Sequence, residues 1–185
     1  MNGSDPQAQG WRFALVVGGA RSGKSSLAEK LVTATGRSRC YIATSQAWDD
    51  EMQARIEEHR LQRGPDWRTV ETPLHLAAAL RETRPDEAVL VDCATLWLTN
   101  LMLGEHDIGQ ATQDLLAAIS ACPAPVAIVS NEVGWGIVPE NALARRFRDV
   151  QGRLNQALAA RADLVVGVMA GLPFVLKGQM PEKDR

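Results

Sequence analysis

Gly18-Gly19-Ala20-Arg21-Ser22-Gly23-Lys24-Ser25 reads G-x-x-x-x-G-K-S, the pattern of a phosphate-binding loop. Its flanks fit. Phe13-Ala14-Leu15-Val16-Val17 is a short apolar run of the kind that forms a buried strand. Ser26 to Val32 continues as a helix, with Leu27 and Leu31 four residues apart on one face. A loop between strand and helix is the setting the motif requires. Its glycines let the backbone close around a phosphate, so that N–H groups and the helix N-terminus point at it. Lys24 supplies positive charge to the β- and γ-phosphates, and the Ser25 hydroxyl is placed to ligate Mg²⁺. This predicts nucleotide binding and leaves the reaction open.

Outward from the loop, strands alternate with helices. Gly36 ends the first helix, and Cys40 to Thr44 reads as a second strand. Asp49 or Asp50 can cap a helix running to about Arg63, stopped by Gly64-Pro65. Trp67 to Glu71 alternates as a short strand. Thr72-Pro73 is a helix start, with Pro at the first position and Leu74, Ala77, Ala78 and Leu80 on the apolar face. Ala88 to Asp92 is an apolar strand ending in a carboxylate, and helices follow over about 94–103 and 110–121. Pro125 to Ser130 is a strand, Glu140 to Ala162 the longest helix, Leu164 to Met169 a last core strand, and Phe174 to Lys177 an edge strand. The expected fold is α/β, a phosphate-loop NTPase fold with a mostly parallel central sheet and helices on both faces. Residues 1–10 are expected to be a flexible tail and residues 11–185 a single nucleotide-binding domain. Ligands in such sheets bind at the carboxyl ends of the strands, so Gly18, Thr44, Asp92 and Asn131 should gather on one edge.

Composition narrows the partners. The chain has 185 residues, 45% of them hydrophobic, and a formal charge of −2, so it is globular and has no basic excess for nucleic acid. Cys40, Cys93 and Cys122 are far apart in apolar settings, which argues against a zinc site or disulfide scaffold and suits a reducing cytoplasm. No apolar run is long enough to span a membrane, and the first ten residues lack the plan of a signal peptide.

Two further features bear on chemistry. Asp92, closing an apolar strand, suits the acid that holds Mg²⁺ beside a phosphate loop; the same residue is also a common turn former. In the segment from Thr44 to Arg63, Met52, Arg55, Ile56, His59 and Arg63 recur at spacings of three or four, and Arg60 adjoins His59. Positive neighbours favour the neutral, nucleophilic imidazole, so His59 is either a nucleophile or a solvated residue of an amphipathic helix. His75 and His106 have no such company. Arg145, Arg146 and Arg148 fit the solvated side of the long helix or a phosphate contact, and Trp135 either packs a flat ligand or makes an ordinary apolar contact. Asn131-Glu132 follows a strand on the active edge, with no role assigned.

The sequence resembles the bifunctional adenosylcobinamide kinase/adenosylcobinamide-phosphate guanylyltransferase family of cobalamin biosynthesis. The residues that carry this are the phosphate loop, Tyr41-Ile42-Ala43-Thr44-Ser45-Gln46, and Asp49 to Met52 with Arg55-Ile56 and His59. Trp67-Arg68-Thr69 with Glu71, Asn131-Glu132-Val133-Gly134, Gly136 to Asn141, and Phe147-Arg148-Asp149 with Gly152-Arg153 and Asn155-Gln156 complete it. The match runs in order from about Phe13 to Val168. The resemblance implies that adenosylcobinamide is phosphorylated by ATP or GTP. GMP then passes from GTP to adenosylcobinamide phosphate through a GMP-histidine at His59. It implies guanine-nucleotide contacts at the phosphate loop, at Ala43, Thr44 and Ser45, at Arg60, Leu61, Gln62 and Arg63, and at Glu71 and Asp92, with Ser25 and Asp92 serving Mg²⁺. It also implies a homotrimer. Two other readings stay open on the residues alone: a one-step phosphate-loop kinase with a structural His59, and a nucleotide-driven switch or assembly ATPase.

Overall fold

The computed structural model describes residues 10–46 and 65–181. In chain order the elements are β1 (Phe13–Gly18), α1 (Lys24–Ala34), β2 (Ser38–Ala43), β3 (Trp67–Glu71), α2 (Leu76–Arg81), β4 (Glu87–Asp92), α3 (Ala94–Leu103), α4 (Ile108–Ala121), β5 (Val126–Asn131), α5 (Ala142–Arg161), β6 (Leu164–Met169) and β7 (Leu172–Lys177). They build one seven-stranded sheet in the order β3-β2-β4-β5-β1-β6-β7. Every neighbouring pair is parallel except β6 and β7, which form an antiparallel edge. The expected α/β class and mostly parallel sheet are what is observed.

The period of two along each strand divides the core between the sheet's faces. Phe13, Leu15, Ile42, Val91 and Ile128 face α2, α3, α4 and α5, where Leu76, Leu80, Trp97, Leu101, Leu115, Leu154 and Leu158 meet them. Ala14, Val16, Tyr41, Leu90, Val129 and Val166 face α1 through Ala28, Leu31 and Val32, with Trp11 and Met180 closing that side. Burial on both faces explains why β1, β4 and β5 are almost unbroken apolar runs.

Two helix starts differ from expectation. The Thr72-Pro73 start is not used, and α2 begins at Leu76. The Pro73 carbonyl instead accepts from Asn100 Nδ2 at 3.0 Å, and the Leu74 carbonyl accepts from Trp97 Nε1 at 3.0 Å. Tertiary partners on α3 therefore hold 72–75 out of the helix against its local propensity. The long helix starts later than Glu140 because Asn141 caps it, its Oδ1 accepting from the Leu143 and Ala144 amides. The helix expected between Asp49 and Arg63 lies outside the described residues.

Candidate active site

The strands' carboxyl ends bring together the positions expected there. Gly18 stands opposite Asn131 across β1 and β5, and the Glu132 amide donates to the Gly18 carbonyl at 3.1 Å. Ala43 stands opposite Asp92 on one side and Glu71 on the other. The phosphate loop thus has the ends of β5 and β6 beside it, and those of β4, β2 and β3 lie further along the same edge.

Two glycines make the loop possible. A Cβ on Gly18 would lie 2.6 Å from the Val168 carbonyl oxygen and against the Ser22 hydroxyl, so only hydrogen fits there. Gly23 has φ +94° and leads directly into α1 without any side-chain cap. The first amides of α1 are therefore open to an anion, and no acidic side chain stands in its first turn to compete. The loop is tied down from outside by the Gly171 amide, which donates to the Ser22 carbonyl at 2.9 Å. The Ser22 hydroxyl is buried without a hydrogen-bond partner among the described residues.

Lys24 Nζ donates to the Gly19 carbonyl at 2.9 Å, which holds the ammonium across the loop. Its pKa is lowered, chiefly by burial; Cys93 and then Asp92 pull the other way. Asp92 and Ser25 are both half-buried. No group of three His, Cys, Asp or Glu side chains among the described residues could hold a metal by itself. That suits Mg²⁺, which takes one or two protein oxygens and fills the rest of its octahedron with phosphate oxygens and water.

Thr44 is tied into the protein by its own hydroxyl. It is fully buried, and its hydroxyl donates to the Cys93 carbonyl at 2.7 Å while accepting from the Cys93 amide at 2.8 Å. Its carbonyl accepts from Asn100 Nδ2 at 2.8 Å. The side chain clasps the end of β2 to the start of α3. Ala43 is buried as well, whereas Ser45 is half-buried and Glu71 exposed. Burial pushes the Cys93 thiol up to about 11, and Cys40 likewise to about 11, so neither is a nucleophile near neutral pH.

A hydrogen-bonded group that the sequence reading did not assign supports the end of β5. The Ser130 hydroxyl donates to Asn155 Oδ1 at 2.6 Å, and Gln151 Nε2 donates to both Ser130 Oγ and Asn155 Oδ1 at 3.0 Å. Asn155 Nδ2 donates to the Asn131 carbonyl, and the Asn131 amide to Thr95 Oγ1. Gln151 and Asn155 are four apart on α5, the spacing that could have pointed to a shared face. Arg145 and Arg146 are exposed, as expected, but Arg148 is half-buried with Nη1 fully covered and unpartnered. His75 and His106 are exposed and away from the loop. His59 and Arg60, Leu61, Gln62 and Arg63 lie outside the described residues.

Residues 14–176 match the model of the family described as cobinamide kinase / cobinamide phosphate guanyltransferase. The chain belongs to this family. It is 49% identical over 168 residues to the bifunctional adenosylcobalamin biosynthesis protein CobP of Pseudomonas aeruginosa, covering 89% of this chain and 97% of that protein. It is 48% identical over 179 residues to the bifunctional adenosylcobalamin biosynthesis protein CobU of Salmonella typhimurium, covering 88% and 98%. Among solved structures the fold is similar to an ATPase of the type III secretion system of pathogenic bacteria, with TM-score 0.53, 13% identity and coverage of 84% of this chain and 50% of that one. It is also similar to the flagellar accessory protein FlaH of Methanocaldococcus jannaschii, with TM-score 0.50, 13% identity and coverage of 90% and 78%. At such identities the likeness concerns the fold alone. The family match therefore carries the activity, and the nucleotide fold agrees with it.

Proposed function

We propose that this protein is a bifunctional enzyme of adenosylcobalamin biosynthesis. It phosphorylates adenosylcobinamide with ATP or GTP, then transfers GMP from GTP to adenosylcobinamide phosphate, giving adenosylcobinamide-GDP. The observation that carries this reading is the match over nearly the whole chain to a family described by both activities, with relatives named as bifunctional adenosylcobalamin biosynthesis proteins.

In the kinase step the loop amides and Lys24 hold the β- and γ-phosphates. The substrate hydroxyl attacks the γ-phosphorus and the nucleoside diphosphate leaves. Ser25 and Asp92 would hold Mg²⁺, which neutralises charge on the phosphate oxygens when bound. In the transferase step a neutral nitrogen of His59 attacks the α-phosphorus of GTP and pyrophosphate leaves. A phosphate oxygen of adenosylcobinamide phosphate then attacks the same phosphorus, and imidazole departs after reprotonation. The nucleotide contacts extend to Ala43, Ser45, Arg60 to Arg63 and Glu71, with Thr44 acting through the backbone it positions. Residues 11–185 work as one domain, in a cytoplasmic homotrimer.

The test uses GTP labelled at the α-phosphate. Wild-type protein is expected to take up acid-labile, alkali-stable label, as a phosphoramidate does. His59→Ala should take up none and lose guanylyl transfer, yet keep appreciable kinase activity. Labelling of His59→Ala at the wild-type level would reject His59 as the nucleophile. A wild type that phosphorylates adenosylcobinamide but never labels would reduce the protein to a simple kinase.

A further inference from the structure

A cleft of about 450 Å³ opens beside α5 at the carboxyl end of β5, lined by Glu132, Gly134, Arg148, Gln151, Arg153 and Asn155 among others. It adjoins the phosphate loop, because Glu132 is the residue whose amide donates to the Gly18 carbonyl. Two polar atoms on its wall are buried and have no hydrogen-bond partner among the described residues. Gln151 is 0% exposed; its Nε2 is spent on Ser130 and Asn155, while Oε1 has no partner. Arg148 Nη1 is covered and has none either. The two residues are three apart on one helix and so share a face.

Buried polar groups are nearly always satisfied, so an acceptor and a donor left open together call for a ligand group carrying the complementary pair. A phosphate or carboxylate brings only acceptors; it would suit Arg148 and repel Gln151 Oε1. An ammonium brings only donors and would be repelled by Arg148. A carboxamide fits both, its C=O accepting from Arg148 and its N–H donating to Gln151.

A second cavity of about 550 Å³ lies next to the first and shares Val133 and Arg148 with it. Its walls are mostly apolar, from Met102, Leu103, Pro139, Leu143 and Phe147. The pair of cavities suits a large ligand with an apolar body and amide groups on its rim. We propose that the cleft beside α5 is the acceptor subsite, in which Arg148 and Gln151 bind a carboxamide arm of the corrinoid while the apolar cavity takes part of the macrocycle. This rests on the reading of the acceptor as adenosylcobinamide.

The test measures kinase turnover of the full chain with adenosylcobinamide varied at saturating ATP. Thermal unfolding and binding of a fluorescent GTP analogue serve as controls. Arg148→Met breaks no hydrogen bond among the described residues; it should raise the acceptor KM about tenfold or more while the analogue Kd moves less than about twofold. Gln151→Met removes the Oε1 acceptor at similar size and should raise the acceptor KM by a similar factor. If that variant does not fold, Arg148→Met decides alone. An active wild type with an unchanged acceptor KM in Arg148→Met would overturn the subsite and leave the function standing. A wild type that never phosphorylates adenosylcobinamide would bring down both.

Discussion

The two ends of the sheet are built to opposite rules. At the amino end, charged and polar groups are used up inside the protein. Asp163 Oδ2 accepts from the Arg12 and Phe13 amides, Arg12 donates to the Cys122 carbonyl, Arg37 to the Pro85 carbonyl, and Arg68 forms a two-bond pair with Glu87. Arg37 Nε is the exception, buried there without a partner. At the carboxyl end the open atoms accumulate: the uncapped amides of α1, the Ser22 hydroxyl, Gln151 Oε1 and Arg148 Nη1. Unmatched polar groups cost stability, and they gather where a ligand completes them. The comparison divides the molecule into an end that holds it together and an end that does chemistry, and substitutions at each should separate stability from rate.

The largest effect is expected at Lys24. Lys24→Ala removes the charge proposed to face the phosphates in either reaction, and both activities should fall by about 10²–10³. Its one hydrogen bond is to a loop carbonyl, and the side chain is not part of the core. The stability change should therefore stay within about 0.5 kcal/mol, read as an almost unchanged Tm. A large drop in Tm with rates preserved would break the division at its strongest point.

Asp92→Asn should come next. The amide keeps the shape of the carboxylate at the end of β4 and removes its charge. Mg²⁺-dependent turnover should fall by about ten- to a hundredfold, while nucleotide binding measured without metal changes less than about threefold. Equal losses in both would assign Asp92 to holding the turn into α3, a stabilising role at the wrong end of the sheet.

How much of this was legible depends on sequence distance. β1, the loop and α1 span Phe13 to Ala34 and depend on neighbours within a few residues, so motif and periodicity suffice. The start of α2 was not legible, because Trp97 and Asn100 decide it from more than twenty residues away. The hydrogen-bonding of Thr44 was not legible for the same reason: its hydroxyl is committed to Cys93, 49 residues on. The cleft beside α5 needs Glu132 from the end of β5 and Gln151 from the middle of a helix, and no local pattern marks them as partners. Function was legible chiefly through resemblance, since spacing left His59 open between nucleophile and solvated residue.

The smallest effect on rate, and the sharpest test of the stabilising end, is expected at Arg68. Its side chain reaches from β3 across β2 to Glu87 on β4, with Nε to Oε1 at 2.6 Å and Nη2 to Oε2 at 2.8 Å. Glu87 is only 3% exposed in its side chain, whereas that of Arg68 is 36% exposed. The hydrogen bond from Arg68 holds the Glu87 carboxyl below its usual range; burial opposes this, and the Arg84 amide helps. Arg68→Ala leaves a buried carboxylate with that amide alone. Breaking a fully buried pair costs more, but the open side of Arg68 reduces the loss to about 1–3 kcal/mol at neutral pH. A depressed folded pKa adds stability that is complete above the unfolded value of about 4.3 and is lost as pH falls through the folded one. The Tm gap between wild type and Arg68→Ala should therefore be widest near neutrality and narrow as Glu87 becomes protonated on acidification. Turnover at saturating substrates should stay within about twofold, since a surface so far from the loop touches neither substrate. A gap that stays the same as pH falls would mean that Arg68 stabilises by packing rather than by charge. A rate loss as large as that of Asp92→Asn would show that the two ends of the sheet are not separable.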